Sequence, residues 1–222
     1  ELVDARLPES SRNPQLAQIL QNKQSILVLT KKELADSKTT AGWVRYYETQ
    51  KQPAIAVNST AIGLKIIEEK IKQVLADKLA LQAKKGILHK RIRVMCIGIP
   101  NVGKSTLLNH LIKKNLAQVV NRPGVTKSQQ WLKAGKDMLL LDTPGILWPK
   151  FEDPMIGKKL ALTGAIKETL YAKDDVALYL LDHFRQFAPA SLKERYHLAD
   201  SELSLSTVDL LLLITKKSGF KD

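Results

Sequence analysis

The stretch Gly98-Ile99-Pro100-Asn101-Val102-Gly103-Lys104-Ser105-Thr106 is where residue types and spacing most plainly specify chemistry. It fits the pattern G-x-x-x-x-G-K-[ST], whose glycines let consecutive backbone N–H groups curl around phosphate oxygens. Lys104 brings a cation to the outer phosphates, and the Ser105 hydroxyl can ligate Mg²⁺. Further on, Leu139-Leu140-Leu141-Asp142-Thr143-Pro144-Gly145 is an apolar run ending in D-x-x-G. There Asp142 can hold Mg²⁺ through water and the Gly145 N–H can meet a terminal phosphate. Between the two, Thr126 in Arg122-Pro123-Gly124-Val125-Thr126 offers a second metal-binding hydroxyl. Taken singly, Asp-Thr-Pro-Gly and Pro-Gly are only turns. Their order behind the phosphate loop makes them the switches of a nucleotide-hydrolysing site.

Such a site must also read its base, usually with N/T-K-x-D after a strand. Nothing after residue 145 fits. Upstream, Ile26-Leu27-Val28-Leu29 runs into Thr30-Lys31-Lys32-Glu33, and Val57-Asn58-Ser59-Thr60-Ala61 ends another apolar run where a base-contacting loop belongs. An Asp would pair bidentately with guanine N1 and N2. Glu33 adds a methylene that the pairing must absorb, so an adenine nucleotide stays open at this point.

These groups need strands and helices to hold them. Ser25–Leu29, Ala54–Val57, Ile92–Ile97 and Met138–Leu141 read as strands, each delivering a motif at or near its C-terminal end. Leu64, Ile67, Ile71, Val74 and Leu75 share one helical face, and Lys104 to Lys114 predicts a second helix with Leu107, Leu108, Leu111 and Ile112 inward. This alternation implies an α/β fold with a mostly parallel sheet flanked by helices. After Trp148-Pro149 no further strand is evident, while Val176–Phe184 and Leu203–Lys217 read as helices. The expected division is an α/β domain, 1–148, and an all-helical domain, 149–222. The motifs occur in rotated order: base reader, base loop, phosphate loop, threonine, D-x-x-G. All sit at strand ends, so moving the chain termini to a surface loop leaves such a site intact.

The 222 residues are 44% hydrophobic and 26% charged, enough to bury a real core. Lys and Arg number 35 against 22 Asp and Glu, a net charge of +13 that attracts polyanions. Residues 175–222 carry a net −1 and residues 1–174 the remaining +14. The densest cationic run, Lys84 to Arg93, holds Lys84, Lys85, Lys90, Arg91 and Arg93 without an acid; a solvated helix end or a nucleic-acid backbone would each account for it. One cysteine and four scattered histidines exclude a disulfide framework and a Cys/His zinc site. Cys96 reads as a core residue and Asp174-Asp175 as a helix cap; Trp43, Trp131 and Trp148 could stack on RNA bases, but core or interface packing is the expected role. No apolar run approaches the roughly 18 residues that span a bilayer, and no signal peptide is visible, so a cytoplasmic location is expected. The chain opens at Glu1 in what reads as the tail of a strand, and further N-terminal sequence is expected before it.

Several blocks resemble the circularly permuted GTPases, in their bacterial ribosome-biogenesis branch. They are Asp4-Ala5-Arg6-Leu7-Pro8 with Ser11-Arg12-Asn13-Pro14; Gly98 to Thr106; Pro123 to Thr126 with Ser128-Gln129-Gln130-Trp131; Asp142 to Asp153; and Leu162 to Lys167. The resemblance runs across nearly the whole chain. It implies a circularly permuted P-loop GTPase domain with a small C-terminal helical domain that contacts ribosomal RNA. The implied activity is GTP hydrolysis in late maturation of the large ribosomal subunit, by a monomer that touches neither membrane nor DNA. It makes Lys104, Thr126 and Gly145 catalytic, and Ser105, Thr126 and Asp142 the Mg²⁺ ligands. Nucleotide contacts would come from Thr30, Lys31, Glu33, Asn58, Ser59, Thr60, Pro100, Asn101, Val102, Gly103, Lys104, Ser105, Thr106 and Gly145. In related GTPases an asparagine placed like Asn101 helps hold K⁺; an asparagine also simply suits a tight loop. Many GTPases orient water with a glutamine after D-x-x-G, where this chain has Ile146, so turnover should be slow alone and stimulated by the ribosomal subunit. Two other functions stay open. A P-loop ATPase or kinase is opposed by the D-x-x-G and the upstream base reader, and a non-catalytic RNA-binding anchor by the intact Lys104, Ser105, Thr126 and Asp142.

Overall fold

The computed structural model describes residues 1–20, 23–58, 64–87, 91–112, 130–134 and 138–219. The strands among them are β1 (Leu2–Asp4), β2 (Leu27–Thr30), β3 (Ala54–Ala56), β4 (Ile92–Cys96), β5 (Gln130–Ala134) and β6 (Met138–Asp142). β1, β2 and β3 pair in parallel in that order, β4 pairs in parallel with β6, and β5 runs antiparallel to β6. The two ladders meet where the Leu2 amide donates to the Ile97 carbonyl at 2.7 Å and Leu2 bridges Gly98. The strand order across this joint is β3-β2-β1-β4-β6-β5. An uninterrupted apolar run suits a strand covered on both faces, and Leu27, Val28 and Leu29 are all buried.

The chain forms two compact units, Glu1–Ala165 and Ile166–Asp222. In the first, α1 (Gln15–Leu20), α2 (Ser37–Thr49), α3 (Leu64–Val74), α4 (Ala76–Lys84), α5 (Lys104–Ile112) and α6 (Pro154–Leu162) accompany the strands. Val3, Leu27, Leu29, Ala54 and Tyr47 make one core cluster, and Trp43 stacks on Tyr47 at 5.7 Å. Asp36 caps α2 by accepting from the Thr39 amide at 2.7 Å, and Asp153 caps α6 through the Met155 amide at 2.8 Å. The second unit holds α7 (Lys173–Phe187), α8 (Pro189–Tyr196) and α9 (Thr207–Lys217), closed around Leu181, Leu192, Leu198, Leu210 and Ile214. Asp174 and Asp175 lie in the first turn of α7, whose cap position is Ala172; they complement the helix dipole rather than capping it.

The division falls after Ala165 and not near residue 148. Trp148 is buried, its ring meets Phe151 edge-on at 5.3 Å, and Phe151 lies beneath Gly157 of α6. Leu160, Ala161 and Ala165 are buried as well. The strands do stop at Asp142, but packing holds the chain to the first unit through α6. Among the described residues, no helix is long and apolar enough to cross a membrane.

Candidate nucleotide site

The phosphate loop joins β4 to α5 through two left-handed residues, Asn101 (φ 57°) and Gly103 (φ 92°). Gly98 sits where the loop leaves the strand; a Cβ there would lie 2.9 Å from both the Leu2 carbonyl and Val102 Cγ1. Only glycine allows β1 to approach so closely. Ile99 and Val102 are buried and seat the loop, while Leu107, Leu108, Leu111 and Ile112 seat α5. Lys104, Ser105 and Thr106 therefore occupy the first turn of an anchored helix whose amide end faces the loop, the local geometry that favours an anion.

Lys104 and Asp142 are both buried, and the Lys104 ammonium donates to Asp142 Oδ1. Asp142 Oδ2 is buried too and has no hydrogen-bond partner among the described residues. An unsatisfied carboxylate oxygen within a phosphate site fits a hard, oxygen-seeking cation such as Mg²⁺. The D-x-x-G turn lies directly on the loop. The Thr143 hydroxyl donates to the Cys96 carbonyl at 2.8 Å and the Ile146 amide to the Gly98 carbonyl at 3.3 Å. A Cβ on Gly145 would stand 2.8 Å from the Pro100 nitrogen. Cys96 is buried among these groups, and burial pushes its thiol up to about 11.

The base side is held to the same loop. Thr30, at the end of β2, is fully buried, and its hydroxyl lies 2.9 Å from the Val3 carbonyl and 2.5 Å from the Val102 carbonyl. Its side chain therefore turns inward to tie β2 to the phosphate loop and does not face a base. Lys31 adopts φ 56°, and its ammonium donates to the Asn101 carbonyl at 2.5 Å. Burial draws the Lys31 amine below its ordinary range. Glu33 is exposed on a single 3₁₀ turn, Lys32–Leu34. The Lys32 amide donates to the Val57 carbonyl at 3.3 Å, which brings the turn beside half-buried Asn58. Ser59, Thr60 and Thr126 lie outside the described residues. The Asn101 amide nitrogen donates to the Thr163 carbonyl at 3.0 Å, against Gly164 at φ 72°. A link between the phosphate loop and the end of α6 had no signal in the sequence beyond the block Leu162 to Lys167 itself.

Lys31, Asn101, Lys104, Asp142 and Gly145 thus converge on one loop. The model of the 50S ribosome-binding GTPase family matches residues 93–217. The chain belongs to that family. As a member it is a GTPase, with GTP as substrate, GDP and phosphate as products, and Mg²⁺ as the customary metal. It is 48% identical to ribosome biogenesis GTPase A of Bacillus cereus over 220 residues, covering 99% of this chain and 74% of that protein. With the same protein of Bacillus licheniformis the identity is 49%, over 99% of this chain and 77% of that one. Among solved structures it is similar to GDP-bound YlqF, with a TM-score of 0.60 at 24% identity over 98% of this chain and 88% of that one. The GNP-bound YlqF from T. maritima gives 0.59 at 23% identity, over 98% and 85%. The 50S ribosome-binding GTPase fold here is accordingly the circularly permuted one, and the rotated motif order is its trace in the sequence.

Proposed function

We propose that the protein is a cytoplasmic, monomeric GTP-hydrolysing factor that docks on the large ribosomal subunit late in its assembly and turns over slowly until docked. The observation that carries this reading is the Lys104–Asp142 pair set against the phosphate loop, in a chain so similar to proteins named for ribosome biogenesis. On nucleotide binding, Lys104 would leave Asp142 for the outer phosphates, and the Gly145 amide would face the terminal one. Ser105, Thr126 and, through water, Asp142 would hold Mg²⁺, which neutralises charge developing on the phosphates. Asn101 would contribute its side-chain oxygen to K⁺. Lys31 and Glu33 would read the guanine, with Asn58, Ser59 and Thr60 along its edge. The place of the water-orienting glutamine is taken by Ile146, which is 57% exposed and can neither donate nor accept a hydrogen bond through its side chain.

Turnover of the free protein should therefore be slow, about 10⁻⁴–10⁻³ s⁻¹ as in an unassisted Ras-type site. Large subunits in K⁺ buffer should raise steady-state hydrolysis at least about tenfold, and less in Na⁺, because docking supplies the missing alignment. Co-sedimentation with subunits in GDP and in a non-hydrolysable GTP analogue reports which state docks. Fast turnover alone, or no response to subunits, would defeat the reading; competition by ATP as strong as by GDP would return it to a P-loop ATPase.

The ribosomal contact is assigned to RNA on the strength of the cationic run that leads into β4. Arg91 and Arg93 are exposed, and the Arg93 guanidinium lies 5.6 Å from the centre of the Trp131 ring, itself 52% exposed. Lys90 lies outside the described residues. A cation stacked on an open indole offers a phosphate contact beside a surface on which a base can stack. Replacing Lys90, Arg91 and Arg93 by Glu should weaken binding to subunits and reduce the slope of log K against log salt by about one for each lost phosphate contact. Equal binding at every salt concentration would assign the run to solubility.

A further inference from the structure

None of the nucleotide contacts falls to the block Asp4-Ala5-Arg6-Leu7-Pro8, yet it is built with as much care. Asp4 closes β1, the strand between β2, which carries Lys31, and β4, which carries the phosphate loop. Its carboxylate is almost wholly buried. Oδ1 accepts from the Arg6 amide at 3.0 Å and Arg6 Nε at 2.9 Å, and Oδ2 from Arg6 Nη2 at 2.7 Å. This is the two-pronged fork that only arginine can present. The same Oδ2 lies 3.4 Å from the Lys31 ammonium, which in turn donates to Asn101 of the phosphate loop. Ser11 shapes the turn that folds Arg6 back: its hydroxyl accepts from the Asp4 amide at 2.9 Å and donates to the Leu7 carbonyl at 2.7 Å. Burial alone would raise the Asp4 carboxyl, but the hydrogen bonds and charge of Arg6, with Lys31, hold it below the usual carboxylate range. Arg6 also feels the charge of Glu33. Arg6, Asp4 and Lys31 therefore alternate in sign along a path that ends on the phosphate loop.

A lysine has a long, flexible stem, and its ammonium loses hydration when it is buried. Something must compensate for both costs before nucleotide arrives, and Asp4 is the anion in contact. We infer that Asp4 is a positioning residue of the nucleotide site: oriented by Arg6, it fixes Lys31 against the Asn101 carbonyl and so braces the base-reading turn and the phosphate loop together. This rests on the reading of Lys31 as a nucleotide contact. Release of guanine nucleotide then requires the clamp to loosen, and weakening the clamp speeds release.

The test uses the full chain loaded with mant-GDP and chased with unlabelled GDP. Asp4→Asn keeps the shape and an acceptor but removes the charge, leaving the Arg6 and Lys31 cations facing one neutral amide; dissociation should accelerate about tenfold. Lys31→Met should do the same. Because one acts through the other, the double variant should release GDP no faster than about twice the faster single, whereas independent effects would multiply. Arg6→Lys, which cannot form the fork, should give a smaller acceleration than Arg6→Ala. An unchanged rate in Asp4→Asn, or effects that multiply in the double variant, would overturn the inference. An unchanged rate in Lys31→Met would overturn the reading beneath it. Should Asp4→Asn fail to fold, the Arg6 pair carries the test, and equal wild-type rates in both would overturn the clamp.

Discussion

Replacing Lys104 by alanine is expected to weaken GDP and GTP binding by about three orders of magnitude, roughly 4 kcal/mol, and to destabilise the protein as well. The first effect comes from removing the loop's own cation, which by its place in the motif meets the outer phosphates. The second comes from its present partner. Asp142 is fully buried and already has one oxygen without a hydrogen bond, so Lys104→Ala leaves a buried carboxylate with no counter-ion. Breaking a buried pair from one side costs about 3–5 kcal/mol, because the remaining charge stays desolvated. Fluorescent-nucleotide titration and thermal melting separate the two. The double variant Lys104→Met with Asp142→Asn should regain stability without regaining affinity. Retained wild-type affinity in Lys104→Ala would remove Lys104 from the site.

Gly145→Ala is expected to lower GTP hydrolysis about a hundredfold while leaving GDP affinity within about tenfold of wild type. A methyl group at residue 145 would lie 2.8 Å from the Pro100 nitrogen, 2.9 Å from its Cα and 3.2 Å from the Ile99 carbonyl carbon. All three are backbone of the phosphate loop, and no flexible side chain is there to move aside. Either the D-x-x-G turn withdraws or the loop shifts. A displacement near 1 Å at reacting groups costs about a hundredfold in rate, and overpacking adds about 1–3 kcal/mol of destabilisation. The split between rate and GDP affinity is the informative readout. Normal hydrolysis in Gly145→Ala would place the terminal phosphate away from this turn.

β2 and β6 were legible because burial demands unbroken apolar runs, and Leu27-Val28-Leu29 and Leu139-Leu140-Leu141 supply them; β4, with Arg93 and Met95 exposed, was legible chiefly from the phosphate loop that follows it. β5 gives no such signal: exposure alternates along it, with Trp131 and Lys133 exposed and Leu132 and Ala134 buried, but the outward Trp131 is itself apolar, so the residue types do not alternate and the short segment does not read as a strand. α2 carries only a short aromatic stripe, Trp43, Tyr46 and Tyr47 at i, i+3 and i+4, set among mostly polar residues, so its helical period is brief and easily missed. The boundary near 148 marked a real change, the end of the strands, but Trp148 and Phe151 fasten the segment through α6 to the first unit. At the site, residue types were readable and directions were not. A threonine after a strand looks the same whether its hydroxyl meets a ligand or, as in Thr30, a neighbouring carbonyl. Likewise Asp4 and Arg6 stood out as a motif without a task, since nothing in one dimension shows that β1 lies beside Lys31.

The joint between Leu2 and Gly98 also dictates a timetable. During synthesis β1 is made well before the neighbour that covers its open side, which comes only when residue 98 emerges. At translation rates of about 5–20 residues per second this interval is roughly 5–20 s. Meanwhile β1 to β3 can pair locally, but β1 exposes unpaired amides and carbonyls to any passing strand. Closing the sheet late, over so long a span of chain, also makes maturation of the fold slow. Rotating the motifs therefore leaves the finished nucleotide site intact and moves its cost into biogenesis: the newborn chain can grip GTP only after Asp142 and Gly145 have left the ribosome, and until then its edge strand needs protection.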